Sequence, residues 1–209
     1  MKRFRRFVQR GVLLLFVPCA GCVSLERSYP DKRYFVIEAP VSANPANSPG
    51  DKNLLVANLR ISPRYADKGF IYRTSDSGYE SDFYNQFLIA PDSMLSEELR
   101  KGLAAAHVFK YVVGPANSLQ PNYVLEGSVN ALYGDFRNLS KPAAVLEIEF
   151  FLHNEESANS GIVMQKRYTR AVPVSGRSPE ALVKGWSQAL EAIISMLVGD
   201  LEKTNLVTK

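Results

Sequence analysis

The chain has 209 residues, 25 Lys and Arg against 21 Asp and Glu, and two cysteines. That length suits one domain with a sizeable core, and two cysteines cannot build the disulfide framework of a small secreted fold. The formal charge of +4 would suit an anionic partner, but Lys2, Arg3, Arg5, Arg6 and Arg10 all precede the first acid, so the excess sits at one end.

Those five basic residues open a leader. Residues 11–18 (GVLLLFVP) are a short apolar run, followed by Cys19-Ala20-Gly21-Cys22. A basic region, an apolar stretch and small residues before a cut site mark a secretory signal peptide. Small residues directly before a cysteine resemble a bacterial lipobox, in which that cysteine is diacylglycerated on sulfur and the peptide is cut just before it. The expectation is a signal peptide over 1–21 and lipid on Cys22, with Cys19 discarded. A spanning helix needs ~20 apolar residues; the run from Gly11 to Leu25 is shorter and is broken by Pro18. A zinc site on the C-x-x-C needs further Cys or His partners, and the chain has no third cysteine. Cleavage leaves 188 residues with 20 basic and 21 acidic side chains, a formal −1, which gives no support to nucleic-acid binding. Val23 and Ser24 follow Cys22 with no Asp at the second position; by the lipoprotein resemblance, that implies sorting to the outer membrane, facing the periplasm.

Residues 22–33 are a polar tether reaching at most ~3.5 Å per residue. Residues 34–38 (YFVIE) read as a first strand. Residues 39–53, with Pro40, Pro45, Pro49 and Gly50, form a long loop. Residues 54–61 (LLVANLRI) read as a strand with Leu55, Ala57, Leu59 and Ile61 on one face. Strands follow over 69–74 and 83–89, separated by a Ser-, Asp- and Gly-rich turn. Asp92 is a candidate cap for a helix whose Leu95, Leu99, Leu103 and Ala106 share one stripe. A short strand follows over 109–113.

The third section is β-rich. Residues 123–136 alternate, with Tyr123, Leu125, Val129, Ala131 and Tyr133 expected on one side. Residues 144–153 put Ala144, Leu146, Ile148, Phe150 and Leu152 inward and Glu147 and Glu149 outward. A hairpin loop over 155–161 leads to a return strand carrying Lys166, Arg167 and Arg170. Ser178 as N-cap and Pro179 at the first helical position then start a long helix. Leu182, Trp186, Leu190, Ile193, Leu197 and Leu201 repeat along it at three or four. The expected fold is α+β: a mixed, mostly antiparallel sheet covered by two main helices, one domain over 34–203, with a loose tail over 204–209.

Little in this pattern carries chemistry. His107 and His153 have no Cys, Asp or His at ligand spacing, and there is no nucleophile elbow, zinc-protease motif or phosphate loop. Glu147 and Glu149 share a strand face, which suits solvent better than paired-acid hydrolysis. No catalytic residue, cofactor or metal is expected. One cluster stands out for density: Tyr65, Phe70, Tyr72, Arg73, Tyr79, Phe83, Tyr84 and Phe87. Most of it reads as core. Arg73, Tyr79 and Tyr84, around a polar turn, are the candidates for a partner-binding surface.

The residues LLVANLRISPRY, the Ile71-Tyr72-Arg73 strand and the helix from Pro91 to Leu103 resemble the ABC-type transport auxiliary lipoproteins. The resemblance implies a non-enzymatic periplasmic lipoprotein. Its partners would be the membrane, through the lipid on Cys22, and a membrane-bridging, MCE-type transport component. Homo-oligomerisation stays open. An envelope assembly or structural lipoprotein, binding an outer-membrane protein or peptidoglycan, is the alternative. If the lipobox reading holds, Cys22→Ser blocks processing and acylation, and intact-mass measurement of wild-type protein finds the acylated chain beginning at Cys22. An unmodified Cys22 in wild type would overturn it.

Overall fold

A computed structural model describes residues 30–40, 50–155 and 161–204. The expected signal peptide 1–21, Cys22, most of the tether, residues 41–49 of the long loop, 156–160 of the hairpin loop and 205–209 of the tail lie outside the described residues. In chain order the elements are β1 (Arg33–Phe35), β2 (Asn53–Val56), β3 (Arg60–Ile61), a 3₁₀ turn (Pro63–Tyr65), β4 (Gly69–Arg73), β5 (Tyr79–Phe87), α1 (Pro91–Ala105), β6 (Tyr111–Val113), β7 (Tyr123–Asp135), β8 (Ala143–Asn154), β9 (Gly161–Pro173) and α2 (Pro179–Lys203).

β7 is the spine of the sheet. One of its edges pairs along nearly its whole length with β8, and β8 pairs likewise with β9, both antiparallel. Along the other edge lie three short strands end to end, all parallel to it. β2 meets Tyr123 to Leu125, β3 meets Ser128 and Val129, and β4 meets Gly134 and Asp135. β6 extends β2, while β5 and then β1 extend β4. The described sheet has nine strands. It is antiparallel in its long ladders and parallel only where pairing lasts two or three residues.

One face of this sheet is covered by both helices. In α2 the Ser178 hydroxyl accepts from the Ala181 amide, as an N-cap should, and Pro179 follows. Its stripe of Leu182, Trp186, Leu190, Ile193, Leu197 and Leu201 is fully buried. Trp186 lies edge-on to Phe70 at 5.0 Å and against Phe87 at 5.6 Å. Gly185 lets the helix come close: a Cβ there would lie 2.7 Å from Ala144 and 2.8 Å from Val174. In β8 the inward residues are those expected, Ala144 through Leu152 at every second position. On the opposite face Arg167 lies 3.2 Å from Glu149 and 3.9 Å from Glu147.

Four expectations are corrected. Asp92 does not cap α1: Ala90 is the N-cap and Pro91, with no amide hydrogen to orphan, opens the helix, leaving Asp92 in its first turn. The strand over 54–61 is two strands. Leu54, Val56 and Leu59 are the buried residues, not Leu55, Ala57 and Ile61, because the chain leaves the ladder after the Ala57 amide bonds the Leu125 carbonyl, and the Leu59 amide donates instead to Ser96 Oγ at 2.9 Å. The strand over 34–38 pairs only to Phe35; beyond it Ile37, Glu38 and Ala39 donate their amides to Met94 Sδ, Ser187 Oγ and Glu98 Oε2, so helix side chains replace a strand neighbour. Finally, Ala131 and Tyr133 do not share a face with Val129. A bulge between Val129 and Ala131 inserts Asn130, and the core side resumes at Leu132 and Phe136.

Burial of the α2 stripe gives a stability test. Leu190→Ala should cost roughly 2–5 kcal/mol, whereas Gln188→Ala, exposed on the same helix, should stay within ~0.5 kcal/mol; urea unfolding of both variants checks the difference.

Candidate docking face

The bulge decides what the uncovered face of the sheet presents. By strand alternation, Phe70 and Tyr72 of β4 point to the helices, where Tyr72 packs 5.4 Å from Phe136, and Arg73 points away. Arg73 is the register partner of Tyr79 on β5. The bulge turns Tyr133 to that same side. Tyr133 then stacks on Tyr65 at 6.1 Å and takes Tyr79 edge-on at 6.0 Å. The Arg73 guanidinium lies 5.7 Å from the Tyr79 ring and 6.0 Å from the Tyr133 ring. Arg64, carried on the 3₁₀ turn, lies 5.3 Å from Tyr79 and 6.0 Å from Tyr65. Two guanidinium groups thus sit among three phenol rings, a composition suited to cation–π contact and to capture of carbonyl or carboxylate groups.

The edges of this cluster are fixed by charge. Arg137 makes a two-pronged contact to Asp135, at 3.0 and 2.6 Å, and holds its carboxyl below the usual carboxylate range. Arg73 donates to the Asp76 carbonyl at 2.8 Å, tying down the polar turn between β4 and β5. Arg73 Nε is buried and has no hydrogen-bond partner among the described residues. Tyr65 is 3% exposed, and burial pushes its phenol up, with the neighbouring Arg64 pulling the other way.

The structure brings Arg73 and Tyr79 together as the sequence suggests. It sets Tyr84 apart, in a bulge of β5 over residues 82–85, with its ring edge-on to Phe83 at 5.3 Å. Asp82 organises that bulge: it accepts from the amides of Tyr84 and Asn85 at 2.8 and 3.0 Å, from Asn85 Nδ2 at 2.8 Å and from the Tyr72 hydroxyl at 2.6 Å. Burial raises the Asp82 pKa, but these hydrogen bonds outweigh it and leave the carboxyl below its ordinary value. Tyr72 is pushed strongly the other way, by burial first and by Asp82 second. Sequence reading missed Asp82, although Asp two residues before Tyr84 and three before Asn85 fits an Asx turn. It also missed Arg64 and Tyr133 as members of the face.

The two histidines play no part in the cluster. His107 closes α1 with φ of 55°, and His153 lies 3.9 Å from Glu126. Among the described residues no three His, Cys, Asp or Glu side chains are grouped to hold a metal ion.

The described residues thus form a helix-backed mixed sheet whose other face carries an Arg–Tyr cluster. Residues 35–197 match the family described as ABC-type transport auxiliary lipoprotein component, and the chain belongs to that family. Its fold is that of protein XCC0632 from Xanthomonas campestris, a member of family DUF330, with TM-score 0.72 and 21% identity, covering 83% of this chain and 96% of that one. A further solved structure, described only as an uncharacterized protein, has TM-score 0.65 and 16% identity over 82% of this chain and 99% of the other. No curated protein matches.

The hydrogen bonds to Asp82 make a pH-dependent prediction. Its folded pKa is depressed, so its contribution is complete above the unfolded value of 3.8 and is lost as pH falls through the lower folded value. Asp82→Ala should cost about 1.5–3 kcal/mol at neutral pH, and the gap from wild type should narrow below about pH 4; unfolding curves at pH 7 and pH 3 measure it.

Proposed function

We propose that the chain is a non-catalytic accessory component of an ABC/MCE-type intermembrane transport system for lipid or organic-solvent resistance. It is anchored at the outer membrane by lipid on Cys22, faces the periplasm, and docks a membrane-bridging transport component. What carries the reading is family membership together with the Arg73–Tyr79–Tyr133 cluster on the sheet face away from the helices. Tyr and Arg dominate interface hot spots because they join large apolar area to fixed hydrogen-bonding groups. Tyr84 lies outside the cluster and serves the bulge. In this reading Cys22 supplies location, the α2-backed sheet supplies rigidity, and the cluster supplies recognition.

Two variants test it against a purely structural role. Arg73 and Tyr79 are half-buried, so Arg73→Ala and Tyr79→Ala should each lose no more than about 2 kcal/mol of stability. Each should weaken co-purification with the bridging component by about 2 kcal/mol, roughly 30-fold in affinity. Tyr65→Ala, whose ring is buried, should instead melt early. Normal melting with undiminished partner capture by both surface variants would move the docking site off this face.

A further inference from the structure

We infer that the outer face of the β1–β5 pair is a bilayer-contact surface, which seats the domain directly on the membrane that holds its anchor. The inference rests on the anchored reading above. Nine large apolar side chains are exposed among the described residues, and five of them fall between Tyr34 and Val36 or between Phe83 and Ile89. Tyr34 is 55% exposed, Phe83 64% and Leu88 53%.

Backbone register explains why these side chains are left outside. Phe35 pairs with Phe87, and both turn toward the helices, Phe35 packing 5.3 Å from Phe70 and Phe87 5.6 Å from Trp186. Tyr34 pairs with Gln86 and so takes the opposite side. Leu88, two residues after Gln86, continues the pairing through its amide to the Phe35 carbonyl at 2.9 Å. Phe83 follows Asp82 in the bulge and is left exposed. The core cannot use these residues without giving up Phe35 and Phe87.

Basic groups rim the apolar ones. Lys32 sets its ammonium 4.0 Å from the centre of the Phe83 ring, and Lys68 donates to the Leu88 carbonyl at 2.9 Å. Aromatic and aliphatic side chains with lysines at their border match the water–hydrocarbon boundary, where rings and methyls enter and ammonium groups stay at the headgroups. Position points to the same occupant. β1 is an edge strand, and the chain entering it comes from the anchor: ten residues lie between Cys22 and Arg33, eleven steps along the chain. Fully extended they span at most about 40 Å, so this corner cannot leave the neighbourhood of the lipid surface. An exposed apolar patch of this kind marks an interaction site, and a bilayer is the surface that the anchor brings to it.

The test uses the full acylated protein in vesicles of phosphatidylethanolamine and phosphatidylglycerol, with and without brominated acyl chains. The only native tryptophan, Trp186, is buried in the core and supplies the baseline. Phe83→Trp reports the patch. Ile162→Trp, on the exposed opposite edge strand β9, reports a surface outside it. The expected result is flotation of both variants with the vesicles, with bromolipid quenching of Phe83→Trp at least threefold that of Ile162→Trp. Flotation with equal quenching at the two positions overturns the contact surface and leaves the anchor standing. Blue-shifted but unquenched Phe83→Trp emission also overturns it, and assigns the patch to a protein surface. Failure of acylated protein to float overturns the anchor and the contact surface together.

Discussion

The one extra residue in β7 sets the character of the whole open face. A thirteen-residue strand with strict alternation would carry Tyr133 to the helix side, where Leu132 and Gly134 now meet α2. Gly134 leaves room for Leu182, whose methyl carbons would lie 3.0 and 3.2 Å from a Cβ there; a tyrosine in that place would push α2 off the sheet. With Asn130 bulged out, two residues of β7 oppose one of β8, and every later side chain changes side. The small residue then lands under the helix and the aromatic one lands outside, beside Arg73 and Tyr79. Core packing and the open face are therefore one solution to one register shift.

The short parallel strands of the sheet follow the same logic. Each holds its place through few backbone bonds, so each needs support from the helix layer. β2 ends where the Leu59 amide finds Ser96, and β1 ends where Ile37, Glu38 and Ala39 find α1 and α2. Glu98 is 7% exposed, and it survives burial because the Ala39 amide and Lys101 both satisfy it. Side chains of the helices thus finish hydrogen-bonding work that a longer strand would have done, and they lock the two layers together without a disulfide.

This explains which parts were legible in the sequence. The α2 stripe was, because helical periodicity is local and the Ser178–Pro179 start has its own chemistry. The inward face of β8 was too, because that strand is paired on both edges and nothing interrupts its period of two. The β7 face was not. A bulge is a relation between two strands, and the glycines nearest Asn130, Gly127 and Gly134, lie three and four residues away in regular parts of the ladder. The same holds for Leu54 and Val56, whose burial depends on where the chain leaves the ladder. Of the candidate face, Arg73 and Tyr79 were readable as a dense polar–aromatic turn. Arg64 and Tyr133 were not, since the 3₁₀ turn and the bulge bring them in from remote positions.

β5 connects the two surfaces of the functional reading. Tyr79, at its first residue, belongs to the Arg–Tyr cluster, and Leu88, just past its last, belongs to the apolar patch. A strand rises about 3.3 Å per residue, so the nine residues of β5 hold the two apart by no more than about 30 Å, less the slack taken by the Asp82 bulge. With the patch seated on the bilayer, β5 carries the cluster away from it, toward the side from which a bridging partner would arrive. Attachment at one point does not by itself set an orientation. A second, apolar contact would set it before the partner binds. On that reading the entropy that docking would otherwise lose would be lost in advance, and the Asp82 hydrogen bonds would contribute at one remove, by holding the bulge that carries Phe83.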